Sequence, residues 1–392
     1  MRQRRIRAVF MRGGTSKAVM FRRDDLPEDR AAWDGIFLSA LGSPDAEGRQ
    51  LDGMGGGVSS LSKVCIVGPP TRPDADVDYT FGQVAVRDAL VDYSGSCGNM
   101  SSAIGPFALE EGMLPGAPRD GEVVVRIHDT NARRIIVSRF QAKDGEALVE
   151  GGLVLDGVSG SGAPIRLDFM DPGGGRSGHL LPTGHATDVL DIPGLGAIEA
   201  TMVDAASPCV FIRAEAVGAT ATETPQRLDG DARLLDRLDL IRRHAAVAMG
   251  LAADAEAARA KPSLPRVAML APGRDAVLAN GRRVSAAEAD VTIRMISMGQ
   301  PHRAVTATGA LCLGVACRIP GSIAAQMAAG AVPDRPIRIA HASGLVLVDA
   351  VVVPDAAARG GLGCEHATLF RTARRLFEGA VLVRGLAWSA AA

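Results

Sequence analysis

Twice along the chain a strand-like run passes through a glycine-containing turn directly into a helix. The first instance is Val91-Asp-Tyr-Ser-Gly-Ser-Cys97-Gly-Asn-Met-Ser-Ser-Ala103; the second is Thr306-Ala-Thr-Gly309-Ala-Leu. A chain with one such opener in each half is read as two pseudo-equivalent halves, each offering a helix N-terminus, which can face one another across a cleft. Short β-branched or alternating runs bounded by Gly, Pro, Asp or Asn surround the first opener. They are Ile6–Phe10, Ala18–Phe21, Lys63–Val67, Val77–Val86, Val123–His128, Ile135–Phe140 and Ile165–Phe169, and each reads as a strand. Helices are expected over Glu28–Leu41 and from just after Cys97 to Gly112.

The second half repeats the arrangement more loosely. Strands are expected at Ile198–Asp204, Val210–Arg213, Val267–Leu270 and Val291–Met298. A long helix is expected over Gln226–Ala258 and a small-residue helix over Ala307–Cys317. Ile337–Val353 reads as two strands joined at His341-Ala-Ser-Gly344, and a helix plus a strand is expected to close the chain. The Gly/Pro-containing stretch Asp171–Pro193 is the linker candidate.

Composition narrows the function classes. The 392 residues carry 43 Lys plus Arg against 44 Asp plus Glu, an even balance without the basic footprint of a nucleic-acid or membrane-surface protein. No apolar run reaches the ~18 residues of a membrane span. The basic start, Met1 to Arg7, is followed by no secretory apolar core. A soluble, cytoplasmic protein is expected. Six scattered cysteines without a Cys-x-x-Cys pair fit reduced thiols better than a disulfide framework or a structural zinc site. No metal constellation is expected: His179, His185, His341 and His366 have no acidic partner at ligand spacing.

Two residues stand out as chemistry. Cys97 sits where a helix opens, near unpaired backbone N–H groups and the positive end of the dipole, an environment that favours thiolate over thiol. Gly98 permits close approach of a ligand, while Asn99, Met100 and Ser101 can direct N–H donors at an anion. Lys63 is one of only four lysines, against 39 arginines. Its place inside the apolar run Lys63-Val-Cys-Ile-Val67 suits a general base, because desolvation disfavours the charged form of an amine.

The segments Met11-Arg-Gly-Gly-Thr-Ser-Lys17 and Asp52-Gly-Met-Gly-Gly-Gly-Val-Ser-Ser60 read as anion cradles. The first lacks the spacing of a phosphate loop, and the second leads into a strand rather than a helix, so neither is a nucleotide fingerprint. Arg12, Thr15, Ser16, Ser59 and Ser60 are the candidate donors, suited to carboxylates. In the second half Ser207, His302, Arg303, Thr308 and Gly309 are candidates for holding a substrate carboxylate.

Together these residues resemble the PrpF family of 2-methylaconitate, 3-methylitaconate and 4-oxalomesaconate isomerases. The resemblance covers essentially the whole chain. It rests on Met11–Lys17, Gly42-Ser-Pro-Asp45, Ser59-Ser-Leu-Ser-Lys63, Asp76-Val-Asp-Tyr79, Cys97-Gly-Asn-Met-Ser-Ser-Ala-Ile-Gly-Pro-Phe107 and Thr308-Gly309-Ala310. It implies an α/β, diaminopimelate-epimerase-like fold of two domains, each a rolled β-sheet around a central helix, with the active site between them. The domains are expected at 1–185, completed by 378–392, and at 186–377. In the wider group two cysteines, one before each central helix, act as acid and base. Here the second falls near Thr306, where no cysteine stands, and the resemblance moves the acid–base role to Lys63 and Cys97.

The chemistry so implied is proton transfer on a small unsaturated di- or tricarboxylate, with no cofactor, no nucleic-acid or membrane partner, and a homodimer as the expected assembly. Tautomerisation of 4-oxalomesaconate and isomerisation of methylitaconate are rival reactions of the same class. A non-catalytic partner of an aconitase-like enzyme is the rival from a different class.

Overall fold

A computed structural model describes residues 3–93, 95–278, 281–330 and 335–384. The chain divides into two compact units. One holds residues up to Leu167 and returns at Arg371; the other is Asp168–Phe370. The Gly/Pro stretch Asp171–Pro193 lies wholly in the second unit, where Leu180 and Leu181 are buried in its core and Asp188–Ile192 forms a strand.

The first unit begins with β1 (Arg4–Gly13) and β2 (Ser16–Arg22), a hairpin with Gly13 opposite Ser16. β2 runs parallel to β3 (Lys63–Gly68), which is antiparallel to β4 (Val77–Val84). β4 pairs with the short β5 (Val91–Asp92) and, in parallel, with β6 (Gly121–Asp129); β7 (Arg134–Lys143) completes the antiparallel pair with β6. The C-terminal strand Ala373–Val383 returns to pair antiparallel with β1.

Helix α1 (Trp33–Leu41) covers one face through Trp33, Ile36 and Phe37, which pack on Phe21 and Val64. Helix α2 (Ser101–Glu110) touches strands from both ends of the sheet order, the C-terminal strand with β1 and β6 with β7. A helix can meet both ends only if the sheet curls around it. Eight of its residues, Ser101 to Ala108, are buried, as a central helix requires.

The second unit repeats this order. The hairpin Gly196–Ala205/Ser207–Arg213 corresponds to β1/β2, and its second strand runs parallel to Arg266–Pro272 as β2 does to β3. Arg266–Pro272 is antiparallel to Val291–Ser297, which is parallel to Ile337–His341, itself antiparallel to Gly344–Pro354. On the outer face lie α3 (Pro225–Asp229), α4 (Ala232–Ala248) and α5 (Ala255–Arg259), packed on a core that includes Ile212 and Met269. Helix α6 (Ala307–Cys317) is buried from Gly309 to Ala316 against the other face, followed by α7 (Ile323–Met327). Two units, each a curled sheet with one buried helix, are the α/β, diaminopimelate-epimerase-like architecture that the resemblance implied.

Three expectations are corrected. The helix over 28–41 is only Trp33–Leu41: Asp29 accepts the Ala31 N–H and caps a single 3-10 turn, Arg30–Ala32, ahead of it. The long helix over 226–258 is three, because the chain breaks at Gly230 and Gly250, and Asp231 and Asp254 start new helices by accepting the Leu234 and Ala257 N–H groups. No helix closes the chain among the described residues. Leu362–Arg371 and Ala373–Val383 are both strands, the second held by the β1 ladder from Arg4 opposite Val383 to Gly13 opposite Ala373. Long-range pairing overrides the local helical pattern there.

Candidate active site

The site of the first unit is built on the head of α2. Cys97 stands four residues before the helix, and its carbonyl accepts from both the N–H and the hydroxyl of Ser101, at 3.0 and 3.1 Å. The turn 98–100 is thereby tied to the first turn of the helix, with Cys97 half-buried at its entry. Gly13 lets β1 pass directly beneath: a Cβ there would lie 2.8 Å from the Asn99 carbonyl oxygen and 3.1 Å from Met100 Cα.

Asn99 is held from two sides. Its Nδ2 donates to the Thr15 hydroxyl at 3.1 Å, and its Oδ1 accepts from Arg371 Nε at 3.0 Å. Arg371, 7% exposed, is the last residue of its strand. Burial pushes its guanidinium down to about 10, and the charge of Cys97 works against that fall, so it stays cationic at neutral pH. Arg12 closes the same corner, its Nη1 donating to the Gly14 and Thr372 carbonyls and to the Thr372 hydroxyl. Burial lowers its guanidinium, and Arg374 adds to the effect.

Lys63, 7% exposed, opens β3 directly opposite Gln83 of β4. Its Nζ donates to Gln83 Oε1 and lies 5.0 Å from the centre of the Phe81 ring. One step along β3, Cys65 is fully buried 3.9 Å from the Tyr79 hydroxyl. Burial pushes the Cys65 thiol up, the charge of Cys97 pushes it further, and Lys63 opposes the rise. The charges of Cys97 and Lys63 thus bear on this thiol with opposite sign, and burial outweighs both. Tyr79 is likewise raised by burial, then by Cys65 and Cys97. Asp129, raised by burial, accepts from the Ser96 hydroxyl beside Cys97.

The remaining candidates of this unit fall in different places. Thr15 is exposed on the hairpin, and Ser16 is buried in it. Ser59 contributes a carbonyl, which accepts from Gln83 Nε2, and Ser60 lies in the single turn Ser59–Leu61. Met100 is fully buried, so its side chain belongs to the core. Gly98 is half-buried in the turn.

The second unit has its own cluster at the head of α6. Thr306 caps the helix by accepting the Gly309 N–H at 3.0 Å. A Cβ on Gly309 would stand 2.5 Å from Met295 Cε and 2.7 Å from the Thr306 capping oxygen, so both side chains would have to shift. Ser207 and Thr308 both accept from Arg266 Nη1, the latter at 3.4 Å. Arg266 opens its strand as Lys63 opens β3, so the unit places a permanent cation where the first has an amine. Its Nε is buried without a hydrogen-bond partner among the described residues.

His302 Nδ1 accepts the Ala304 N–H at 3.1 Å, which leaves its proton on Nε2. Burial lowers it, Ala304 opposes that and Arg266 adds to it, so the ring is neutral at pH 7 and offers an N–H rather than a charge. The Arg303 side chain is exposed; its carbonyl accepts from the Ser343 hydroxyl.

Sequence reasoning missed Gln83, Arg371 and Arg266. Arg266 carried one usable signal, its place at the head of the strand that follows the second hairpin, matching Lys63. Arg371 and Gln83 carried none, because only pairing brings them to the site. Among the described residues no three His, Cys, Asp or Glu side chains converge as metal ligands.

A curled sheet around a buried helix, twice in one chain, defines the class of α/β proteins with an epimerase-like fold. The comparisons specify it further. A sequence model described as PrpF protein matches residues 3–384. The chain is 40% identical over 383 residues to a 3-methylitaconate isomerase of Eubacterium barkeri, covering 97% of this chain and 98% of that one. It is 39% identical over 392 residues to a 2-methyl-aconitate isomerase of Cupriavidus necator, covering 98% of each. A solved structure of a methylitaconate-delta-isomerase superposes with a TM-score of 0.89 at 39% identity over 100% of both chains. The chain belongs to the PrpF family.

Proposed function

We propose that this isomerase interconverts 2-methylaconitate-type di- or tricarboxylates without a cofactor, by removing and returning an allylic proton. One observation carries the reading: Lys63, buried at the head of β3, and Cys97, at the entry to α2, belong to one unit, while Arg371 and Thr15 hold the Asn99 turn between them. The full-length likeness to methylaconitate and methylitaconate isomerases supports the substrate class.

A proton on carbon next to a C=C–carboxylate system is acidic only when the resulting dienolate is stabilised. The N–H groups at the head of α2 and the Thr15 hydroxyl supply donors for a carboxylate on which negative charge grows. The neutral amine of Lys63 takes the allylic proton, and the electron pair spreads over the diene and carboxylate. The former double bond loses order and can rotate. A proton then returns to carbon from Lys63 or from the Cys97 thiol, so nothing is gained or lost overall. Proton transfer of this kind contributes ~10²–10⁴-fold, and anion stabilisation supplies much of the rest. Arg266 with Ser207 and Thr308 forms a second carboxylate-binding group in its own unit.

The test is an ultraviolet assay on a panel of 2-methylaconitate, methylitaconate and 4-oxalomesaconate with a chelator present. Wild-type protein is expected to turn over a member of the panel, and Lys63→Ala to abolish turnover. Full activity of Lys63→Ala refutes the lysine assignment, and an inert wild type favours a non-catalytic partner.

A further inference from the structure

The residue opposite a general base decides whether the base stays neutral and whether it stays in place. In register, Gln83 is the direct cross-strand partner of Lys63, so both side chains leave the same face of the sheet. The Gln83 amide is committed at its other end. Nε2 donates to the Ser59 carbonyl at 3.0 Å and to the Ser62 carbonyl at 2.8 Å, and Oε1 accepts from Lys63 Nζ. Both N–H bonds of the amide are thereby used, and a flip would set its oxygen against two carbonyl oxygens while turning donors toward the ammonium.

A second glutamine ties this lock to the glycine-rich loop. Gln50, almost fully buried, donates through Nε2 to the Ser62 hydroxyl at 2.7 Å and the Ser43 hydroxyl at 2.8 Å. Its Oε1 accepts the Gly57 N–H at 3.0 Å, and the Ser62 hydroxyl donates onward to the Val84 carbonyl. The segment Asp52–Ser60, which reads in sequence as an anion cradle, is thus tied to Gln50 through Gly57 and supplies, at Ser59, one of the two carbonyls that orient Gln83.

We propose that Gln83 is the positioning residue of Lys63: a neutral acceptor, locked in one orientation, that holds the amine in place in both of its protonation states. The inference rests on Lys63 being the base. An ammonium and a free amine both retain N–H bonds to donate, so one neutral oxygen can hold the nitrogen throughout the proton cycle. A carboxylate at the same place would favour the ammonium and oppose the base. No ion pair involves Lys63 among the described residues; the carboxylate in its cross-strand row is Asp92 of β5, one strand further on and in register with Gln83. The groups that bear on it are the Phe81 ring on β4, Cys65 on β3, and, through Cys65 and Tyr79, Cys97 at the head of α2 and Asp129 on β6.

The experiment compares Q83E and Q83L with wild type in three readouts. They are the pH profile of kcat, KM, and the rate at which acetic anhydride acylates Lys63, mapped by peptide mass against Lys17, Lys143 and Lys261. For Q83E the rising limb of kcat is expected to move up by about one pH unit or more, the size of effect an adjacent opposite charge produces. Acylation of Lys63 at pH 8 is expected to slow several-fold while the other three lysines are unchanged. For Q83L, kcat is expected to fall at least ~10-fold, less than the ~10²–10⁴-fold of a lost general base, with KM little altered. Thermal melting monitors the fold of both. If Q83E leaves the limb and the acylation rate as in wild type, or Q83L keeps full kcat, the assignment is overturned. Failure of the underlying reading looks different, since Lys63→Ala then remains active while the acylation comparison still reports on Gln83.

Discussion

Replacing Arg371 with methionine tests whether the Cys97 turn is held from behind by a buried cation. The guanidinium is 7% exposed and donates through Nε to Asn99 Oδ1 at 3.0 Å, while Asn99 Nδ2 reaches Thr15. Methionine fills much of the volume but offers neither donor nor charge. A hydrogen bond from a charged group contributes roughly 1.5–3 kcal/mol. If about 2 kcal/mol of that holds the turn in its productive shape, kcat/KM falls by about 30-fold, at roughly 1.4 kcal/mol per factor of ten. The strand that carries Arg371 is held by its own ladder, with Leu369 opposite Val348, so the protein is expected to fold.

Two assays are needed, kcat/KM by ultraviolet absorbance and the pH dependence of Cys97 alkylation by iodoacetamide. Arg371→Met is expected to slow both, because the turn that carries Cys97 loses the donor that holds Asn99. Arg371→Lys keeps a charge but loses the planar fork, so it is expected to recover alkylation more fully than turnover. A methionine variant within about threefold of wild type in both assays, against the ~30-fold expected, would refute the reasoning.

Gly13→Ala is expected to lower kcat while leaving the fold intact, because the new Cβ would stand 2.8 Å from the Asn99 carbonyl oxygen and push the α2 turn aside. Overpacking of this kind costs about 1–3 kcal/mol, and steady-state kinetics with a melting curve check it. In the second unit Asp290, with 2% of its side chain exposed, accepts from Arg335 and Arg338. Burial acts to raise this carboxyl, but the hydrogen bonds from Arg335 and Arg338 outweigh it and hold it well below the usual range. A depressed carboxyl stabilises the folded state fully above its unfolded value near 3.9, and that contribution is lost as pH falls below it. Asp290→Asn is therefore expected to cost about 3 kcal/mol at pH 7 and progressively less below about pH 4. Urea melts showing the same difference at pH 7 and pH 3 would contradict this.

Much of the site was visible as local exceptions in the sequence. Lys63 stood out as a rare lysine in an apolar strand, and Cys97 as a cysteine before a helix. Both lie where those signals put them, because strand periodicity and helix entry depend on neighbours a few residues away. The glycine-rich segment 52–60 is legible as a turn-rich loop, but its ties are tertiary: the Ser59 carbonyl accepts from Gln83, and the Gly57 N–H donates to Gln50. The C-terminal strand was read as helix and strand because nothing local reports its ladder with β1.

Local sequence signals were enough for the α/β class, for the two halves, each with a small-residue helix opening at a glycine-containing turn, and for naming Lys63 and Cys97 as the candidates for moving a proton. Those follow from turn chemistry, side-chain periodicity and charge, which act over single turns of chain. Which neutral or cationic groups stand behind them is settled by strand pairing and burial in the folded chain. Gln83 reaches Lys63 by strand register twenty residues away, and Arg371 reaches Asn99 across 272. Register and burial are cooperative properties of the folded sheet, and a residue's own neighbours carry no record of them.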